Sequence, residues 1–258
     1  MNVLKFNAFK HLFTGILFVV ILSSCQPKKL IITKDNFEAD TLNQIWTNEK
    51  FIPGAFELQS EVVKSGKKSA KLILREGDQI DEEKGTDLER AELREPKKLM
   101  AVEHNNYSYS FSLFLPSDFP IVPTRLVIAQ WKQNCEAGGC NPNNPVIAIR
   151  YDSGKLRITL QTGPEKTILY SETGPILNQW LDFKFNIRFS RNNDGQIKTW
   201  LNDNIIVDYK GVTAYSNEFG YPEPGNFYFK LGLYRDKMSQ PMTIYIDDYM
   251  KQQLTNFK

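Results

Sequence analysis

The 258-residue sequence is poor in the residues that build metal centres and nucleophilic sites, with three cysteines and two histidines. Only one of these histidines, His104, follows the first 24 residues. Structural zinc usually needs four soft ligands, so we expect no zinc site. The sequence also lacks an excess of one charge, since 32 Lys and Arg face 30 Asp and Glu. This balance gives no general attraction to nucleic acid, and we expect no nucleic-acid partner.

A long apolar stretch occurs near the start of the chain, where "LFTGILFVVILSS" ends just before Cys25. Lys5 and Lys10 precede it, and a basic start followed by a short apolar run is typical of a secretory signal. The run is too short for a convincing transmembrane helix. "LSSC" also resembles a bacterial lipobox, in which the cysteine is lipidated. A plain signal peptide cut nearby is the alternative.

We therefore predict a lipoprotein signal peptide over residues 1–24, followed by a lipidated Cys25 and a short linker over 25–34. The protein would be exported and anchored at the bacterial cell envelope, at the outer membrane or the periplasmic face. Its contact with a membrane would be through the lipid anchor alone. The remaining cysteines, Cys135 and Cys140, lie in "NCEAGGCNPNNP". Because exported proteins meet oxidising conditions, a loop disulfide between them is expected, with a free thiol pair as the alternative.

Helical periodicity and internal repeats are both missing after residue 30. Instead, apolar residues alternate with polar ones in short segments such as "YSYSFSLFLP" and "WLDFKFNIRFS", and turn sequences such as "RNNDGQ" and "YPEPGN" separate them. Alternation with period two is the pattern of half-buried strands. The pattern predicts an all-β sandwich formed by one domain over residues 35–258, and we expect a monomer.

Three of the predicted strands have one face that is rich in polar side chains. If the three strands are neighbours, these faces together form the floor of a groove. A solvated outer sheet face with scattered charges is the alternative. The groove faces consist of Arg90, Glu92 and Arg94 in the first strand, Ile128, Gln130 and Lys132 in the second, and Tyr228, Lys230 and Tyr234 in the third.

These strands resemble the motifs of polysaccharide lyases with a concanavalin A-like jelly roll. Such enzymes carry "R-x-E-L-R", "Q-x-[HK]" and "Y-F-K-x-G-x-Y" strands, which correspond here to "RAELR" (90–94), "QWK" (130–132) and "YFKLGLY" (228–234). The similarity is nearest to the heparin lyase I-like and glucuronan lyase branch, and alginate lyases share variants of the set. It implies an enzyme that cleaves a uronic-acid-containing polysaccharide, such as glucuronan, alginate or a glycosaminoglycan, by β-elimination. A non-catalytic carbohydrate-binding lipoprotein on the same fold is the alternative.

The resemblance also implies roles for the residues of the three motifs. Gln130 and Arg90 would neutralise the uronate carboxylate, and Tyr234 would transfer protons. Lys132 stands where many relatives have histidine, so a two-residue acid–base pair is in doubt. This replacement favours syn elimination, in which one tyrosine is both base and acid. It therefore predicts a preference for glucuronate or mannuronate over guluronate or iduronate.

Further residues are assigned to substrate binding or to a structural ion. His104 is a second candidate for the missing histidine, although a solvated loop position is the alternative. No cofactor is required, but Asp247 or Asp248 could help to bind a structural calcium ion. The assigned substrate-binding residues are Lys230, Glu92, Arg94, Tyr228, Arg235 and His104. The sequence leaves the polymer and the endo or exo mode open.

Overall fold

A computed structural model of the protein describes residues 30–47, 51–81, 84–135, 138–172, 174 and 176–257. These residues form two antiparallel sheets that pack face to face, as the alternating pattern predicts. Two short 3-10 turns, Lys97–Leu99 and Asn217–Phe219, lie between strands. No helix in the described part of the chain is long and apolar enough to cross a bilayer.

The first sheet, here called the β6 sheet, has the order β13-β12-β11-β6-β15-β3-β2, and β1 pairs with β15. Successive side chains of each strand point alternately to the outer and the inner face of the sheet. The strands are β1 (Leu30–Asp35), β2 (Phe56–Gln59), β3 (Ser69–Leu74), β6 (Asn106–Phe114), β11 (Trp180–Arg188), β12 (Gln196–Leu201), β13 (Asn204–Lys210) and β15 (Met242–Leu254).

The second sheet, here called the β14 sheet, has the order β10-β9-β8-β7-β14-β4, and β5 pairs with β14. The three motif strands are therefore adjacent, with β14 between β4 and β7, and the expectation that they are neighbours is confirmed. The strands are β4 (Leu88–Arg94), β5 (Ala101–Val102), β7 (Leu126–Gln133), β8 (Ile147–Asp152), β9 (Lys155–Gln161), β10 (Lys166–Glu172) and β14 (Asn226–Asp236).

Aromatic side chains fill the space between the sheets. Trp131 of β7 lies 4.8 Å from Phe229 of β14 and 4.5 Å from Phe185 of β11, measured between ring centroids. Tyr109 of β6 contacts the same tryptophan edge-on. Such rings bury large apolar areas and hold the two sheets in one register. The four apolar residues of β14 are wholly buried, as the alternation predicts, namely Phe227, Phe229, Leu231 and Leu233.

The domain begins earlier than the sequence suggests. Residues 30–34, which we assigned to the linker, belong to β1, an outer strand whose backbone pairs with β15 from Leu30↔Gln253 to Asp35↔Tyr249. The segment "LIITKD" is rich in β-branched residues, which favour this extended pairing. The signal peptide and Cys25 lie outside the described residues. Cys135 and Cys140 form the expected disulfide, with Cα atoms 6.1 Å apart.

Candidate active site

The strand register brings the polar residues of the three motifs onto one face. Lys230 of β14 lies opposite Arg94 on one side and opposite Gln130 on the other. Tyr234 lies opposite Arg90 of β4. The three strands thus form a continuous floor of guanidinium, ammonium, amide and phenol groups, here called the three-strand floor.

Glu92 lies at the centre of the three-strand floor and is fully buried. The Gln130 Nε2 donates a hydrogen bond of 2.5 Å to one of its carboxylate oxygens. Lys230 Nζ lies 3.3 Å and Arg90 Nη1 3.5 Å from the other oxygen. One carboxylate therefore fixes the position of an amide, an ammonium and a guanidinium. We predicted a substrate contact for Glu92, and its observed contacts instead hold three neighbouring side chains in place.

Burial and charge act together on the ionisation of this cluster. Burial raises the pKa of Glu92, but the charges of Lys230 and Arg90 outweigh it, so the pKa lies below the usual value. Burial lowers the pKa of Lys230 to about 8, and Glu92 opposes this shift while Arg90 adds to it. At neutral pH the cluster consequently holds two buried cations around one buried anion, and it has a net positive charge.

Two guanidinium groups lie against the ring of Tyr234. The Cζ atom of Arg90 lies 4.2 Å and that of Arg125 lies 4.9 Å from the ring centroid. Arg125 also hydrogen-bonds the Tyr234 side chain, and Asp236 holds it through an Nε to Oδ1 bond of 2.8 Å. Cations this close to the face of an aromatic ring are attracted to its electrons. The partly exposed Tyr234 is thus available to a ligand and surrounded by positive charge.

Arg125 was missed by the sequence analysis because a β-bulge changes the face of β7. The pairing with β14 shifts between Leu231 and Tyr234, so Val127 lies opposite Tyr234. Ile128, predicted to share a face with Gln130, packs instead in the hydrophobic core. An extra residue in one strand reverses the alternation beyond it. Arg125, two residues before Val127, therefore reaches the groove face rather than the core.

Gly232 allows β14 to approach β4 closely. Its φ angle is +151°, and a Cβ atom there would lie 2.3 Å from the backbone oxygen of Ala91. A side chain at this position would force the strands apart. The missing Cβ thus faces the backbone of the neighbouring strand.

The other motif residues continue the three-strand floor toward the beginning of β14. The Arg94 guanidinium lies 4.7 Å from the ring centroid of Tyr228, and Lys132 is opposite Tyr228 in the strand register. Lys132 is half-buried, and Tyr228 is almost fully buried. Two more cations and an aromatic ring therefore extend the positive surface beyond Gln130.

Arg235 and His104 depart from their predicted positions as substrate contacts. The Arg235 side chain is wholly buried, and its Nη2 lies 2.7 Å from Glu89, because it points away from Tyr234. Its role is to neutralise a buried carboxylate. His104 occupies an exposed turn, where its backbone N–H donates to Phe189 of the loop after β11. Within the described residues, its contacts are with Glu103, Arg188 and Phe189, which lie outside the three-strand floor.

The candidate calcium ligands also have another role. Asp247 is buried and accepts backbone N–H groups from Lys64, Ser65 and Asp248. Its carboxylate therefore fixes the loop before β3 against β15. Within the described ranges no three metal-ligating side chains lie together, and a calcium contact of Asp247 or Asp248 stays a prediction.

A cavity of about 400 Å³ continues the groove beyond Tyr234. It lies over β7, β8, β9 and β10, and Arg125 belongs both to its wall and to the surroundings of Tyr234. The sequence analysis did not find this extension, since its residues lie outside the three motifs. The charged residues that line it are Arg125, Arg150, Asp152, Arg157, Lys166 and Asp236.

Comparison with known proteins agrees with this geometry. An endo-β-1,4-glucuronan lyase from the fungus Trichoderma reesei superposes with a TM-score of 0.67 at 16% identity, covering 86% of this chain and 94% of that one. The family-7 alginate lyase A1-II' superposes with a TM-score of 0.56 at 14% identity, covering 80% and 86%. An alginate lyase from Corynebacterium sp. gives 0.55 at 15% identity, covering 78% and 82%.

At these identities the likeness shows the fold alone, and it confirms the jelly-roll sandwich. No curated protein sequence matches the chain significantly. The assignment of the family comes from a family profile described as polysaccharide lyase, which matches residues 37–250. This match spans most of the sequence and includes all three motif strands, so the chain belongs to the polysaccharide lyase family.

Proposed function

We propose that this polysaccharide lyase cleaves a uronic-acid-containing polymer by β-elimination, with Tyr234 as the proton-transfer residue. The observation that carries the proposal is the position of a partly exposed phenol between two guanidinium groups, beside a buried amide and ammonium. Two of the similar structures are named as lyases of glucuronan and alginate, which supports an acidic polymer as the substrate.

The first requirement of the reaction is neutralisation of the uronate carboxylate. Removal of the proton from C5 places negative charge next to an anion, so fixed positive or hydrogen-bonding groups must stabilise the intermediate. Gln130, Arg90 and Lys230 are suited to this task. Glu92 holds all three in position, so little reorganisation is needed when charge develops.

The second requirement is a group that accepts one proton and donates another. In the proposed step the Tyr234 phenolate takes the C5 proton, and the electron pair of that C–H bond forms the C4–C5 double bond. The C4–O4 bond breaks, and its electron pair stays on O4. The phenol then returns the proton to O4, so the tyrosine ends as it began.

Use of one residue on one face of the sugar limits the stereochemistry. Glucuronate and mannuronate have the C5 proton and O4 on the same side, whereas guluronate and iduronate do not. Lys132 in the position of the family histidine supports this restriction, because an ammonium at neutral pH is a poor base. We therefore propose glucuronan or mannuronate-rich alginate as the preferred class of polymer.

The proposal extends to the location of the enzyme. The apolar N-terminal run and "LSSC" support export and lipidation at Cys25. Membership of the lyase family does not favour the alternative of a carbohydrate-binding lipoprotein without activity.

Absorbance near 235 nm tests the reaction, because elimination alone creates a conjugated C4–C5 double bond. We expect an increase with glucuronan or mannuronate blocks and a slower increase with guluronate blocks or heparin. A neutral polymer such as dextran is the control and should give none. No increase with any uronic polymer would contradict the proposed function, while faster cleavage of guluronate blocks would contradict the stereochemical part alone.

A further inference from the structure

A second cluster of positive charge lies outside the three motifs. Arg150 on β8, Arg157 on β9 and Lys166 on β10 line the cavity that continues from Arg125. Neighbouring strands are about 4.8 Å apart, so these side chains extend across several strands from Tyr234. Arg150 and Arg157 lie opposite each other in the strand register, and Lys166 lies farther along, opposite Gln161. The cavity that these three cations line is here called the β8–β10 pocket.

Two of these cations have no acidic partner in the described part of the chain. Arg157 pairs with Asp152 at 3.3 Å, and Arg125 pairs with Asp236 at 2.7 Å. Arg150, in contrast, donates from Nε to the hydroxyl of Thr159 at 3.2 Å and makes no ion pair. Lys166 has no described carboxylate within ion-pair distance either. Positive charge is therefore compensated near Arg125 and Arg157 but left in excess between them.

The excess charge costs electrostatic free energy in the free protein. Burial and the charge of Arg125 lower the pKa of Arg150. Burial, Arg150 and Arg125 together lower the pKa of Lys166. Repulsion among cations that line one cavity is relieved when an anion binds between them. The cavity volume of about 400 Å³ is sufficient for a sugar ring with its carboxylate.

We propose that the β8–β10 pocket is an anion subsite, in which Arg150 and Lys166 bind the carboxylate of another sugar of the chain that is cleaved at Tyr234. The inference rests on the proposed function for the identity of the ligand. Arg125 connects the two sites, because its guanidinium contacts the ring of Tyr234 and also lines the pocket. The subsite accordingly selects polymers that carry an acidic group on more than the sugar at the cleavage point.

The test uses Arg150→Gln and Lys166→Gln, with Lys210→Gln as the control. Lys210 is exposed on β13 of the opposite sheet and does not line the pocket. We expect each pocket variant to raise the KM for a uronic polymer about tenfold, since each loses one charge-assisted contact. The effect should be smaller on the shortest cleaved oligosaccharide, which does not reach the pocket. Lys210→Gln should match the wild type.

Electrophoresis through gels that contain glucuronan or alginate separates failure of the subsite from failure of the proposed function. We expect both polymers to retard the wild type and both pocket variants to migrate faster than the wild type, whereas dextran retards none. Pocket variants with wild-type retardation and KM would overturn the inference, even if elimination at 235 nm is observed. If the pocket variants lose retardation but the wild type shows no elimination, the subsite is supported and the proposed reaction is contradicted.

Discussion

The outer faces of the two sheets each carry an ion pair, and the two pairs have very different surroundings. On the β6 sheet, Lys64 pairs with Asp182 at 2.7 Å, and the two side chains are 33% and 47% exposed. On the β14 sheet, Lys230 pairs with Glu92 at 3.3 Å, and the side chains are 6% and 0% exposed. Asp182 and Lys230 both stand in alternating polar positions of a strand. Burial, and not the alternating pattern, is what separates the two faces.

This difference indicates that the buried charges of the β14 sheet lower the stability of the fold. An exposed ion pair contributes about 0–1 kcal/mol, and water replaces either partner easily. Removal of charged groups from water has a cost of several kcal/mol per ion, which their attraction offsets only in good geometry. A buried cluster with a net positive charge is therefore better explained by an anionic substrate than by stability.

The largest expected effect concerns Tyr234, the proposed proton-transfer residue. Tyr234→Phe removes a single hydroxyl while the ring and its two guanidinium contacts remain. Because a general acid–base group typically contributes about 10²–10⁴-fold, a residue that fills both roles should cost at least the upper part of that range. Initial rates at 235 nm on the best uronic polymer measure the loss.

The melting temperature is the folding control for Tyr234→Phe, and it should remain close to that of the wild type. Retention in gels with the polymer should also persist, since Arg90, Gln130 and Lys230 are unchanged. A folded variant that keeps more than about a tenth of wild-type turnover would be incompatible with the acid–base role. Tyr234 would then be a sugar-stacking residue.

A matched pair of carboxylates tests the contrast between the sheets directly. Glu92→Gln leaves Arg90 and Lys230 buried without their anion, and we expect a loss of about 3–5 kcal/mol in the free energy of unfolding. Asp182→Asn breaks the exposed pair with Lys64 and should cost about 0–1 kcal/mol. Urea unfolding of both variants provides the measurement. Equal losses would show that burial of Glu92 has no special energetic consequence.

Gln130→Ala isolates the amide of the three-strand floor. We expect turnover to fall about 10²–10³-fold, as for a lost oxyanion donor, because the developing negative charge loses a fixed partner. Glu92 keeps its contacts with Lys230 and Arg90, so the free energy of unfolding should change less than in Glu92→Gln. Initial rates and urea unfolding measure the two effects, and an unchanged rate would assign Gln130 to structure alone.

The sequence predicts much of this arrangement. Alternation in "NFYFKLGLYR" assigns Phe227, Phe229, Leu231 and Leu233 to the core, and the structure agrees. The adjacency of β4, β7 and β14 follows from the family motifs rather than from periodicity. Cysteine spacing and the expected export together indicated the disulfide of Cys135 and Cys140.

The remaining features depend on register and tertiary contacts that local patterns do not contain. The bulge near Ile128 reverses the faces of β7, so Arg125 joins Tyr234 although simple alternation excludes it. Glu92 lies on the predicted groove face, but its burial among Gln130 and Lys230 gives it structural partners. Arg235 lies on the face opposite to Tyr234 and pairs with the buried Glu89. Arg150 and Lys166 come from separate strands, and only the strand order β8-β9-β10 brings them together.

The smallest expected effect is a pH dependence that comes from Lys230. With a pKa of about 8, Lys230 is protonated at pH 7 and loses its charge as the pH rises through 8. We expect the KM for an acidic polymer to rise severalfold above pH 8, because one buried cation of the floor becomes neutral. The rate at saturation need not follow the same curve, so KM and kcat are measured separately from pH 7 to about pH 9.5.

Lys230→Met tests whether the alkaline rise in KM comes from Lys230. The variant should have a raised KM already at pH 7 and a smaller further rise above pH 8 than the wild type. In the wild type, the free energy of unfolding should increase over the pH range in which substrate binding weakens. Between pH 8 and the unfolded value near 10.5, the unfolded chain binds more protons than the folded one, so the free energy of unfolding gains from Lys230 as pH rises. If the alkaline rise in KM is identical in Lys230→Met, Lys230 does not contribute to substrate binding. Its burial would then be only a structural difference from the β6 sheet.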